Sequence, residues 1–362
     1  MNIIQAMQRT IRDAMSITGK NLVLYDSEGK RVTGAVMEQD IDPDKIRDFY
    51  NSAADKLEVS GEHLFKIYDD GEPYYVLMIQ GFDANNIYIL GSLVSAQLQN
   101  IIKIYREKES KLSFIQNLLM DNLLQVDIFN RSRQLKIPME RKRAVFLVEM
   151  KSSEDNNCAK VLSNLFVDKA YVTAVDEKYV VVVMEFADVD QEEKLDSVAK
   201  TMLDMINSET MTPVRIGYGG IMGSLKELSR SYKEAKLALD VGKIFYPAQT
   251  IIAYSSLGIG RLIYQLPLNL CEMFMKETFT EASMEELDDE TIQTVIKFFE
   301  NNLNVSETAR QLYIHRNTLV YRLEKLEKTS GLDVRQFEDA LTFRIAMMVS
   351  NYMNYLKKTN ED

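Results

Sequence analysis

The stretch His315-Arg316-Asn317-Thr318-Leu319-Val320-Tyr321-Arg322-Leu323 interleaves guanidinium, carboxamide, hydroxyl and phenol groups with regularly spaced leucines. At about 100° per residue, Leu319, Leu323 and Leu326 share one helix face, while Asn317, Tyr321 and Lys328 point nearly opposite, with Thr318 and Lys325 to one side. The outward stripe is rich in hydrogen-bonding groups and poor in carboxylates. A carboxamide pairs with adenine in a bidentate manner, and a guanidinium or ammonium reads guanine or grips phosphate. Arg316 and Arg322 flank the buried face, where contacts to the sugar-phosphate backbone fix register. The candidate contact set is therefore Arg316, Asn317, Thr318, Tyr321, Arg322 and Lys325, and the partner is double-stranded DNA. A solvated helix also carries a polar face, so the stripe alone separates the two readings weakly.

The preceding residues supply a scaffold for this helix. Ser306 is expected to cap a first helix with its hydroxyl, and Val305, Ala309 and Leu312 give that helix a buried side. Ala309 is small where two helices must cross. Tyr313-Ile314-His315 forms the turn, Ile314 plugs the core, and a second helix starts at Arg316. This is helix-turn-helix geometry, with the second member in the major groove. Downstream, Phe337, Leu341, Ile345, Met347, Met348, Tyr352 and Leu356 recur at helical spacing, as expected of a closing helix that packs under this module or pairs protomers.

The bulk of the chain is acidic. Its 362 residues carry a net charge of −11, with 46% hydrophobic and 27% charged residues, as in ordinary multidomain globular proteins. Between Asn301 and Arg335, six basic residues meet four acidic ones, a local +2 that leaves −13 elsewhere. An acidic body with a mildly basic tip disfavours indiscriminate coating of DNA and suits a small directed contact. No run approaches the roughly 20 uninterrupted apolar residues of a membrane span, and the first residues lack the pattern of a secretory signal. Cys158 and Cys271 are too few for a disulfide framework, so a cytoplasmic location without membrane association is expected. His63 and His315 stand far apart without paired cysteines. Neither a metal site nor a cofactor is expected.

The expected organisation is a multidomain α+β chain. Residues 1–95 read as a helix, a hairpin around Ser27-Glu28-Gly29-Lys30, a helix from Pro43, strands bracketing Asp69–Pro73, and a final strand Ile87–Val94. That order resembles small sensor domains of the PAS/GAF kind. Over residues 96–124, Leu98, Tyr105, Leu112 and Leu119 fall seven apart. Two readings stay open for them: a coiled coil joining two protomers, or an amphipathic helix packed on its own domain. Residues 125–260 alternate strands and helices as in an α/β sandwich, and residues 261–362 are helical.

The His315-Arg316-Asn317-Thr318-Leu319 run, with Tyr321-Arg322-Leu323 and Gly331-Leu332-Asp333 behind it, resembles the C-terminal domain of the PucR/CdaR family of bacterial transcription regulators. Tyr313 departs from the family, which usually carries glycine there. Upstream, Arg215-Ile216-Gly217-Tyr218-Gly219 and Ser231-Tyr232, Glu234-Ala235, Ala238-Leu239 and Gly242 are similar to that family's GGDEF-like domain. The resemblance implies a non-enzymatic, effector-responsive homodimer that binds DNA. The alternative is a nucleotide-binding or diguanylate-cyclase-related enzyme acting through the middle domain. Cyclase chemistry needs a tight glycine pair at a hairpin and carboxylates that hold magnesium. Here that hairpin reads Val175-Asp176-Glu177-Lys178-Tyr179, and Gly219-Gly220 ends a different strand, where a turn is its expected role.

Overall fold

A computed structural model describes residues 3–36, 41–150, 157–167, 169–187, 193–210, 212–279 and 288–361. Contacts divide the chain into two units, residues 1–115 with 134–136, and residues 116–133 with 137–362. The architecture is mixed α/β with a helical C-terminal region.

The first unit contains α1 (Ile3–Thr18), β1 (Leu22–Tyr25), β2 (Arg31–Gly34), α2 (Pro43–Asn51), β3 (Lys56–Val59), β4 (Glu62–Asp69) and β5 (Glu72–Gln80). It also holds most of α3 (Ala84–Leu119). Its five strands form an antiparallel sheet in the order β2-β1-β5-β4-β3. Strand alternation divides the sheet cleanly. Leu22, Leu24, Phe65, Ile67, Leu77 and Ile79 face Met7 and Ile11 of α1 and Ile87, Val94, Leu98 and Ile102 of α3. On the opposite face Val23, Tyr25, Leu64, Val76 and Met78 meet Ile46 and Phe49 of α2.

This packing overturns one expectation. Ile87–Val94 is not a strand but part of α3. A short apolar run satisfies either period, and here the buried positions Ile87, Val94, Leu98 and Ile102 follow the helical one. Gly91 fits inside the helix because a Cβ there would stand 2.1 Å from the Phe65 ring. Leu98, the first member of the heptad series, is fully buried in its own unit, so at that position the amphipathic-helix reading holds. Among the described residues α3 is the one helix whose length and composition would let it cross a membrane.

The second unit opens with α4 (Gln125–Gln134) and a mixed sheet built from β6 (Glu140–Met150), β7 (Ala170–Ala174), β8 (Tyr179–Glu185), β9 (Val214–Tyr218), β10 (Met222–Ser224) and β11 (Ile251–Ala253). The order is β11-β9-β6-β8-β7, with β10 pairing β6 and only β11–β9 parallel among these pairs. Helices α5 (Asn157–Leu165) and α6 (Glu193–Thr210) bring Cys158, Leu162, Leu195, Ala199, Met202 and Ile206 onto one sheet face. Helix α7 (Leu228–Phe245) packs against β6 and β9. It approaches closely because Gly217 and Gly219 lack side chains; a Cβ on either would lie 2.5 Å from the Ala235 carbonyl or 2.2 Å from that of Ser231.

The remaining helices among the described residues are α8 (Gly260–Ile263), α9 (Leu268–Thr278), α10 (Asp289–Glu300), α11 (Val305–Gln311), α12 (Arg316–Ser330) and α13 (Phe337–Glu361). Along α13, Phe343 and Ala346 join the core that holds Leu319, Leu323 and Leu326. Further along, Val349 and Tyr352 join a second cluster with Ile244 of α7 and Cys271 of α9.

Candidate nucleic-acid interface

The backbone of the helix pair is fixed by caps. The first helix is capped by Asn304 rather than Ser306: the Asn304 side chain accepts a hydrogen bond from the Glu307 amide at 3.0 Å. Ser306 lies one residue inside the helix, where its hydroxyl no longer faces the free amides of the first turn. At the other end, the Tyr313 amide donates to Arg310 O at 3.2 Å and the Ile314 amide to Ala309 O at 3.1 Å. These two bonds make a Schellman closure, which places its C′ residue in left-handed backbone. That residue is Tyr313, with φ 55° and 96% exposure. Glycine would occupy this position without strain. The helix before it ends the same way, with Asn302 at φ 51° and the Leu303 amide donating to Phe298 O at 3.0 Å.

Helix α12 begins where the sequence places it. His315 caps it, with Nδ1 accepting from the Asn317 amide at 3.2 Å, and Gly331 at φ 77° ends it. Leu319, Leu323 and Leu326 are buried, together with Ala309 and Phe298. Ile314, Val305 and Leu312 pack partly buried against this cluster. Burying leucine side chains of this kind contributes about 1.5–3 kcal/mol each, so the leucine stripe sets the rotation of α12 and thereby the direction of its polar face.

The six candidate residues divide into two groups. Arg316, Asn317, Thr318, Tyr321 and Lys325 are exposed, and none has a side-chain hydrogen bond or ion pair among the described residues. Tyr321 is 68% exposed. Arg322 is placed differently. Its Nη2 lies 2.5 Å from Glu290 Oε1, and its Nη1 donates to Thr294 Oγ1 at 3.2 Å, which ties α12 to α10. Sequence reasoning missed this tie because its partners lie about 30 positions upstream, on another helix.

The far end of α12 is clamped by Arg335, which reaches Glu327 Oε2 and Asp333 Oδ1, both at 2.6 Å. The hydrogen bond from Arg335 holds the Asp333 carboxyl below the ordinary carboxylate range. The exposed residues Arg316, Asn317 and Thr318 occupy the first turn of α12, where the positive end of the helix dipole favours an anion such as phosphate.

The middle-domain hairpin shows the opposite condition. Asp176 Oδ1 accepts the amides of Lys178 and Tyr179 at 2.8 and 2.9 Å, closing its own turn. Glu149 accepts from Tyr179 Oη at 3.0 Å and pairs with Lys243 Nζ at 2.5 Å. Burial, more than any neighbouring charge, pushes the Tyr179 phenol up to about 12. At the start of β6, Arg143 is buried and Arg141 exposed, and both pair with Glu185 at 2.8 Å. Among the described residues no group of three His, Cys, Asp or Glu side chains is arranged to hold a metal ion.

Comparison with known proteins agrees with this division of the second unit. The PucR C-terminal helix-turn-helix domain matches residues 291–349, and the GGDEF-like domain matches residues 121–241. The purine catabolism regulatory protein of Bacillus subtilis (strain 168) is 26% identical over 150 residues, 41% of this chain and 28% of that protein. The proline-responsive transcriptional activator PutR of the same organism is 26% identical over 189 residues, 50% of this chain and 45% of that protein. The carbohydrate diacid regulator of Escherichia coli (strain K12) is 28% identical over 137 residues, 37% of this chain and 35% of that protein. The chain therefore spans less than half the length of each of these relatives.

Proposed function

We propose that this chain, a member of the PucR/CdaR family by its GGDEF-like domain and its PucR C-terminal helix-turn-helix, is an effector-responsive transcription regulator that seats α12 in the major groove of DNA. One observation carries the reading: five hydrogen-bonding side chains, Arg316, Asn317, Thr318, Tyr321 and Lys325, stand exposed and unengaged on α12, while Leu319, Leu323 and Leu326 of the same helix are buried. Base-edge recognition needs polar groups whose hydrogen bonds are not already satisfied inside the protein. The decisive test is selection of genomic fragments by the purified full chain, followed by competition with bulk DNA. Enrichment of particular fragments that outcompete bulk DNA is the expected result. Binding in which no fragment outcompetes the bulk would end the proposal.

The N-terminal unit fits a PAS/GAF-like sensor, and the strand order β2-β1-β5-β4-β3 with helices on both faces supports that reading. Buried Lys66 is a candidate effector contact. Its ammonium donates to the Ser52 carbonyl, lies 5.3 Å from the Phe49 ring and pairs with no carboxylate among the described residues. Responsiveness to proline is named for one relative, which supports effector control here. Ile89, Leu93 and Ile104 leave apolar surface on α3, and a homodimer would cover it. In this scheme α3 carries the change in effector occupancy toward the second unit, and control requires the effector to prefer one of two helix arrangements.

The enzymatic alternative has less support. The hairpin lacks the glycine pair, and Asp176 is engaged by its own turn. Incubation with GTP and magnesium is expected to give no cyclic dinucleotide.

A further inference from the structure

The glycine pair Gly219-Gly220, read from sequence as a turn, borders a cleft of about 510 Å³ in the middle domain. The cleft lies beyond the carboxyl end of β9, where Tyr218 pairs with Ala253 of the parallel strand β11. The cleft is not the cyclase position. Arg215, at the start of β9, aligns with Glu149, and Glu149 aligns with Tyr179, so the 175–179 hairpin lies at the opposite edge of the sheet.

The floor of the cleft is rigid. The Gly220 amide donates to Glu234 Oε2 at 2.9 Å, and its carbonyl accepts from Ser231 Oγ, also at 2.9 Å. Ser231 Oγ in turn accepts from the Val145 amide at 3.0 Å. Glu234 is buried at 8% exposure and also pairs with Arg230 at 3.1 Å. A buried carboxylate, a serine hydroxyl and two glycines therefore fix the loop before any ligand arrives.

The remaining charges in the cleft differ from that pair. The Arg261 guanidinium lies 5.2 Å from the Tyr254 ring centroid and has no carboxylate partner among the described residues. Glu227, at the start of α7, has no cationic partner among them either. A guanidinium held over an aromatic ring presents a fork that matches a carboxylate. A carboxylate such as Glu227 matches an ammonium. With two arginines and two glutamates in its lining, the cleft has no excess of either charge, which disfavours a polyanion such as a nucleotide triphosphate.

We infer that this cleft is a binding site for a small zwitterion, an α-amino acid, whose carboxylate docks on Arg261 and whose ammonium docks on Glu227. The site is separate from the N-terminal sensor and from the DNA-reading face, and binding to it is measured without DNA. The test is the melting temperature of the full chain with each common α-amino acid in turn, and with the carboxamide and desamino analogue of any that acts. At least one amino acid is expected to raise the melting temperature saturably, as mass action requires of a ligand selective for the folded state. Neither singly charged analogue should do so at the same concentration. Arg261→Gln and Glu227→Gln should each weaken the response by about tenfold or more, since each removes one partner of a charged hydrogen bond. The unliganded melting temperature of each variant, measured in parallel, verifies that it folds. If no amino acid shifts the wild-type chain, or if the shift survives both substitutions, the assignment is overturned.

Discussion

The 175–179 hairpin and helix α12 both carry polar groups, but Asp176 and Tyr179 of the hairpin are engaged inside the fold. At the hairpin, Asp176 satisfies its own turn, and Glu149, Lys243 and Tyr179 satisfy one another. On α12 the internal ties run from Arg322 to Glu290 and from Glu327 to Arg335, leaving Arg316, Asn317, Thr318, Tyr321 and Lys325 for another molecule. Polar residue count alone would not separate these regions. What distinguishes a recognition surface from a structural one is whether its donors and acceptors are already paired inside the fold.

The sharpest way to break the comparison is to remove what aims α12. Leu323→Ala deletes fully buried methyl groups and should destabilise the DNA module by about 2–5 kcal/mol, abolishing specific and nonspecific binding together in a melting and gel-shift experiment. Next in size is Asn317→Ala. It should reduce discrimination between a selected site and a scrambled duplex by roughly ten- to a hundredfold, the worth of about 1–3 kcal/mol for one bidentate contact, with scrambled-duplex affinity nearly unchanged. Asp176→Ala, the matching truncation at the hairpin, should lower the melting temperature and leave that discrimination intact. Equal losses of discrimination in both variants would erase the distinction.

A smaller effect, of opposite sign, is expected at the turn. Tyr313→Gly relieves left-handed backbone in a side chain that packs against little, and should stabilise the module by about 0.5–1 kcal/mol. If the same variant binds DNA less well, the exposed ring contributes contacts that compensate for its backbone. The smallest effect concerns pH. Because Arg335 lowers the Asp333 pKa in the folded state, that pair stabilises the module above the ordinary aspartate pKa of about 3.9 and stops doing so as pH falls through the lower folded value. Most of this contribution is screened by solvent. Asp333→Asn should therefore lower stability slightly at neutral pH, flatten the acid limb of the stability curve and make no difference once pH lies below the folded value.

The parts of the molecule legible in the sequence were those governed by local periodicity. Leu319, Leu323 and Leu326 announced the buried face of α12, and the start at Arg316 followed from them. Where two local solutions competed, tertiary packing decided. Ile87–Val94 satisfies strand alternation until the Phe65 ring and Gly91 are seen together, and Asn304 outcompetes Ser306 as a cap by two residues. Features assembled from distant segments left no local trace. The Arg322–Glu290 tie and the Lys233–Asp121 pair each join residues that sequence spacing does not relate.

Helix α13 contributes Phe343 and Ala346 to the core beneath α12, and Val349 and Tyr352 to a cluster with α7 of the neighbouring domain. The DNA reader is therefore no interchangeable cassette. A chimera cut ahead of Asp288 would strip Val349 and Tyr352 of their neighbours and leave greasy surface in water, so recombination that transplants this reader must carry the last turn of α7 and all of α9 along with it.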